Sequence, residues 1–180
     1  MQVFHDVDEL IEHLRLLGVT PSAESDRFTE LEHGLQCAEL IRRTDPDDLE
    51  LQIAGLVHDL AHVWDGPGQP RHGTMGAEAV RTLLGARVAN LVQGHIPAKR
   101  YLVATVPEYF ELLSPDSVMT LDAQGGAMDD IEVAEFELDP DHLGMVALRA
   151  ADDGAKVPDA VVPDLEFWLP TIRRVAESHR

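Results

Sequence analysis

Apolar side chains recur every three to four residues along almost the whole chain, while the two-residue alternation of a strand is nearly absent. That rhythm restricts the fold to helices packed on helices. Val7, Leu10, Ile11, Leu14 and Leu17 define a first helix with Gly18 as its stop, and Pro21 to Arg27 reads as a polar loop. Thr29, with Glu32 three residues on, forms a capping-box pattern for a helix through His33, Cys37 and Ile41 to Arg43. Asp45-Pro46-Asp47-Asp48 opens the next, which carries Leu51, Ile53, Ala54, Val57, His58 and Ala61 to near Val63. Trp64 to Pro70 reads as a loop. An apolar helix follows from His72 to Leu84 and another from about Ala86 to Gln93, after which Pro97 is expected to break the chain. Pro107 to Asp130 reads as the most irregular region. Asp129 starts a short acidic helix, Pro140 starts one through Met145, Leu148, Arg149 and Asp152, and Asp164 to Glu177 is a last helix that Pro170 should kink or restart. The expected architecture is an all-α, single-domain helical bundle over residues 1–180.

Charge and cysteine usage narrow the function. A formal net charge of -19 argues against nucleic acid, whose phosphates demand clustered Lys and Arg, and against anionic membranes. It leaves room for a small anion, because bound cations and a few local basic residues can reverse the field inside a pocket. Cys37 is the chain's one cysteine, so no internal disulfide is possible and a cytoplasmic home is expected; Cys37 itself reads as a small packing residue. No stretch reaches the roughly 20 apolar residues of a membrane span, and Asp6, Asp8 and Glu9 stand where a signal peptide would be basic.

The chemistry-bearing residues centre on Leu56-Val57-His58-Asp59-Leu60-Ala61-His62. A carboxylate can bridge two cations where an imidazole cannot, so His58 followed by Asp59 suits a two-metal site. His62, one helical turn after His58, is expected to project the same way. The ligand types expected to face inward are His33, His58, Asp59, His62, His72, His95 and Asp152, spread over five or six helical elements. Each alone has an ordinary alternative: a hydrogen-bonded core histidine, a helix cap, a loop residue or, for Asp152, a pair with Arg149.

Together, in that order, they resemble the HD-domain superfamily of helical metal proteins, with the resemblance running from about His33 to Lys156 and a metal-site core of about 29–156. Leu31-Glu32-His33-Gly34-Leu35-Gln36-Cys37-Ala38, His72 with Gly76-Ala77, His95 to Leu102, and Asp152-Asp153-Gly154-Ala155-Lys156 are similar to one branch, the mixed-valent di-iron oxygenases that cleave carbon–phosphorus bonds, 2-amino-1-hydroxyethylphosphonate dioxygenase-like. The resemblance implies that His33, His58, Asp59 and Asp152 hold one iron and that Asp59 bridges to a second, completed by His72 and His95. It implies an Fe(II)/Fe(III) pair, dioxygen and a small anionic organophosphonate as reactants, with phosphate and a carboxylic acid as products. Lys99, Ser117, Thr120 and Gln124 would meet the phosphonate, and His62 would contact substrate or support the ligands. The branch carries a Tyr ten residues before the first ligand histidine and a Glu seven before it; here those positions are Ala23 and Asp26. Asp26 keeps the charge on a shorter stem, while Ala23 offers an iron no donor atom, so a substrate with a different amine end, or none, is expected. The main rival is a metal-dependent phosphohydrolase using the same ligands with Mn, Mg, Zn or Fe. A non-catalytic sensor of a phospho-ligand is a third reading.

Overall fold

Several helix starts in this protein are set by side chains that satisfy the first, otherwise orphaned backbone N–H groups. In the computed structural model, which describes residues 2–22, 27–65 and 71–179, Asp6 accepts from the Glu9 N–H and opens α1 (Val7–Leu17). Its stripe of Val7, Leu10, Ile11, Leu14 and Leu17 is buried and it stops at Gly18. The Thr29/Glu32 capping box forms in full and opens α2 (Glu30–Thr44). Asp48 caps α3 (Leu49–Val57) by accepting from the Leu51 N–H. The remaining helices are α4 (His62–Asp65), α5 (His72–Thr105), α6 (Tyr109–Leu112), α7 (Pro115–Ala123), α8 (Asp130–Glu137), α9 (His142–Gly154) and α10 (Leu165–Glu177). The fold is all-α: among the described residues there is no strand, and a lone antiparallel bridge joins Pro21 to Thr29.

Helices α2, α3, α5 and α9 pack on one another as the centre of the molecule, with α1 and α10 flanking them and α6 and α8 against α5. Small residues set the α2–α3 separation. A Cβ on Gly34 would lie 2.5 Å from the Leu56 carbonyl oxygen, and one on Gly55 would lie 2.6 Å from Ile41 Cδ1. Trp168, Phe4, Leu10, Leu14, Ile41, Ile53, Leu60, Leu84, Leu91, Leu148 and Ile172 are fully buried around this centre.

Several expectations are corrected. The helix bearing His58 does not continue to Val63: α3 ends at Val57, and short i→i+3 bonds from Leu60 N to Val57 O and His62 N to Asp59 O turn the chain before α4. Trp64 and Asp65, expected in a loop, belong to α4. Pro97 does not break the chain but lies inside α5, and Pro170 likewise sits within an uninterrupted α10. The carbonyls that lose a partner belong to Gln93 and Glu166, both exposed residues where water can substitute. By contrast, the two helices expected to end at Leu84 and to begin at Ala86 are present: α5 is two helical runs meeting at a kink at Gly85, whose non-helical backbone (φ 89°, ψ 170°) is open to glycine and strained for other residues. The region from Pro107 to Asp130 holds α6 and α7, the latter because Ser114 caps it and Pro115 takes the first helical position.

Candidate metal centre and anion pocket

His58 and Asp59, adjacent at the end of α3, share a site: His58 Nε2 lies 3.2 Å from Asp59 Oδ2. His13 of α1 braces the turn that follows by donating from Nε2 to the Leu60 carbonyl at 2.8 Å.

Three histidines have their outward nitrogens defined by the carbonyls behind them. A carbonyl can only accept, so Nδ1 carries the hydrogen in His33 (to Ala155 O, 2.8 Å), His58 (to Gly55 O, 2.9 Å) and His95 (to Val92 O, 2.6 Å). Each therefore turns Nε2 into the centre, the orientation that backbone carbonyls impose on metal-binding imidazoles. His33 Nε2 and His58 Nε2 are 3.3 Å apart, and His72 Nε2 and His95 Nε2 are 2.9 Å apart. Asp59 stands between the two pairs. Its Oδ2 is 3.2 Å from His58 and 3.6 Å from His33, while its Oδ1 is 3.5 Å from His72 and 3.8 Å from His95. Asp152 joins the first pair, with Oδ1 3.2 Å from His33 Nε2.

Facing acceptors at such distances require something positive between them. Burial works against a charged imidazole, yet the carboxylates of Asp59 and then Asp152 hold His58 up at about 9. His62 is likewise held at about 9 against burial by Asp59 and Glu30. His95 goes the other way, pushed well down by burial and by the neighbouring His72 and His58. Both carboxylates sit well below their usual range despite burial, Asp59 through His58 and His62 and Asp152 through Arg149 and His33. The donor set of neutral imidazole and carboxylate fits iron, manganese or zinc, and His72, His95 and Asp59 make the two-histidine, one-carboxylate set used by non-haem iron. Ligand atoms of Asp59, His62 and His72 lie within 4.8 Å of one another, as do those of His33, Cys37 and His58. Cys37 is fully buried, and burial pushes its thiol well up.

A cavity of about 170 Å³ opens onto this centre, and Lys99 and Arg149 line it together with the carboxylates of Asp59 and Asp152. Lys99, one turn after His95 on α5, is 2 % exposed and donates to Thr120 Oγ1 at 2.9 Å and to the Ser117 carbonyl at 3.2 Å. Burial, helped by Arg149, pushes its ammonium down to about 8. Thr120 and Gln124 of the α7 region line the cavity; Ser117 is placed differently, with its hydroxyl turned to Arg149 at 3.3 Å. His62 lines the cavity too, Nε2 3.5 Å from Asp59 Oδ1 and Nδ1 3.1 Å from Glu30 Oε1. Ala23 and Asp26 lie outside the described residues.

Of the expected site residues among those described, all except Ser117 and His58 line this cavity, and His58 sits directly behind it. Sequence reasoning missed Arg149 as part of the lining, having treated it as a partner for Asp152. That pairing is present at 2.7 Å, but Arg149 also reaches the cavity. It missed Glu30, Ile96 and Met119, which share the lining. The spacing of Arg149 three residues before Asp152, and of Glu30 three before His33, was the available signal.

The HD domain family model matches residues 27–133. A hydroxymethylphosphonate dioxygenase from Gimesia maris is 40% identical over 161 residues, 84% of this chain and 80% of the relative. A [1-hydroxy-2-(trimethylamino)ethyl]phosphonate dioxygenase (glycine-betaine-forming) from Leisingera caerulea is 35% identical over 159 residues, 84% of this chain and 81% of the relative. An uncharacterized protein, L432, of Acanthamoeba polyphaga mimivirus is 31% identical over 150 residues, 78% of this chain and 68% of the relative. With the family match reaching from before His33 to beyond Lys99 and Gln124, and relatives aligned along most of its length, the chain belongs to the HD domain family.

Proposed function

We propose that this protein is a di-iron oxygenase that cleaves the carbon–phosphorus bond of a small 1-hydroxyphosphonate, releasing phosphate and a carboxylic acid. The observation that carries the reading is the split of Asp59, one oxygen toward each histidine pair, beside a cavity that the buried Lys99 also lines. The two dioxygenase relatives support the substrate class, since both are named for a phosphonate with a hydroxyl on the adjoining carbon. Atom balance fits: of the two atoms of dioxygen, one is needed for the new carboxyl group and one for the phosphate.

On this reading His33, His58, Asp59 and Asp152 hold one iron, and His72 and His95 complete a second with Asp59. When bound, the iron pair supplies dioxygen activation and the one-electron steps that no side chain here can perform. The protein's own part is placement. Lys99 and Arg149 neutralise the phosphonate, and Thr120 and Gln124 add directional hydrogen bonds. His62, paired through Nδ1 with Glu30 at 3.1 Å, keeps Nε2 turned to Asp59 at the edge of the cavity. Burial of Lys99 and Arg149 strengthens each of these contacts by excluding water. The lone buried cysteine suits a reducing cytoplasm, where we place the enzyme.

The test is product analysis on iron-loaded protein with hydroxymethylphosphonate, with and without dioxygen. Phosphate and formate should form one to one in air and neither should form anaerobically. Phosphate release that continues undiminished without dioxygen would replace this reading with metal-dependent hydrolysis.

A further inference from the structure

Arg149 is 4 % exposed and stands between two groups with different duties. Nη1 donates to Asp152 Oδ2 at 2.7 Å, the carboxylate whose other oxygen faces the histidines. Nη2 reaches Ser117 Oγ at 3.3 Å, on the helix that forms the anion wall. Those two contacts do not fix the guanidinium plane, because the second is long and a single good hydrogen bond leaves rotation about it free. What fixes the plane lies behind. Asp153 takes Nη2 with Oδ1 and Nε with Oδ2 (the latter at 3.2 Å), a two-point grip on one edge. Tyr109 of α6 accepts from Nε at 3.0 Å and donates its own hydrogen to Asp153 Oδ2. The phenol is 8 % exposed, and burial pushes its pKa well above the usual tyrosine value, so it keeps that hydrogen. Tyr109 and Asp153 are both outside the cavity lining, whereas Arg149 and Asp152 are part of it.

We infer that Tyr109 and Asp153 are positioning residues that lock the Arg149 guanidinium edge-on between Asp152 and the anion wall. One rigid group then sets both where a phosphonate rests beside Lys99 and how Asp152 presents its free oxygen. This rests on the proposed reading of Asp152 as a ligand and Lys99 as an anion contact.

The experiment is calorimetric titration of the iron-loaded protein with methylphosphonate, which lacks the hydroxyl the reaction needs. Tyr109→Phe should weaken binding about tenfold, the worth of one hydrogen bond to a charged group, with iron content unchanged. Asp153→Asn should do at least as much. In an Arg149→Lys background the Tyr109→Phe change should cost less than about twofold, because residues acting through a shared partner are not additive. Should Arg149→Lys not fold, the Tyr109→Phe/Asp153→Asn double variant replaces it, and its losses should overlap instead of adding. Wild-type affinity in Tyr109→Phe, or a full loss that persists without Arg149, would overturn the inference. Lys99→Ala is the control that separates the two levels. If it weakens binding while Tyr109→Phe does not, only the positioning role falls; if Lys99→Ala too binds normally, the anion pocket itself is wrong.

Discussion

Asp59 is the residue on which the centre turns, because its two oxygens address different histidine pairs. Asp59→Ala should therefore lose both metals and activity together, measured as iron per chain by elemental analysis. Lys99→Ala should keep its iron and chiefly raise the KM, by about tenfold or more for a lost charge-assisted contact. The same lysine gives a pH dependence. Burial holds it near 8, below the usual lysine value, so the folded protein carries the uncharged form more readily than the unfolded chain does. The cost of burying the charge is present below pH 8 and is relieved as pH rises through it, while anion binding runs the opposite way. Between pH 7 and pH 9 the protonated fraction falls roughly tenfold, and methylphosphonate affinity should fall with it. Lys99→Arg, charged throughout, should flatten that limb of the curve; an unchanged limb would remove Lys99 from the anion site. His33 and Asp59 stand out in the sequence as metal-ligand types, whereas Lys99 was expected only through the family resemblance; the fold brings all three to one cavity. Arg149 was misjudged because its sequence neighbours offered it a sufficient partner in Asp152.

At the scale of elements, helix starts were readable because capping is local: Asp6, Thr29 with Glu32, and Asp48 each satisfy backbone groups within four residues of themselves. Interruptions were less readable. Pro97 and Pro170 were expected to break or bend their helices, yet both sit where the carbonyl they leave unbonded is on an exposed residue. The break that matters is at His58, where no proline or glycine marks it. Contact between α2 and α3 sets the distance from His33 to His58. Gly34→Ala would drive a methyl group against the Leu56 carbonyl and should cost about 1–3 kcal/mol through overpacking. Because the strain falls on that helix pair, iron affinity should drop along with the melting temperature. A variant that loses stability but binds iron like the wild type would show that the pair tolerates separation.

For the whole molecule, the gathering of Asp59 and Asp152 with four histidines inside a chain of net charge -19 makes cations part of its stability. A metal that binds only the folded state stabilises it by mass action, by about 2.7 kcal/mol at a hundredfold excess over its dissociation constant. Chelation should therefore lower the melting temperature by several degrees, and re-addition of iron should restore it. A melting curve indifferent to chelator would mean that the centre contributes nothing to the fold. The sequence alone determined the helical class, the helix starts and the residue types able to hold a metal, since periodicity, capping and ligand chemistry are properties of short stretches. Only the tertiary structure decided that the chain turns at His58, that Asp59 splits its oxygens between two histidine pairs, and that Arg149 ties Asp152 to the anion wall. Those depend on where α2, α5, α7 and α9 meet, and packing between residues far apart in the chain leaves no local pattern to read.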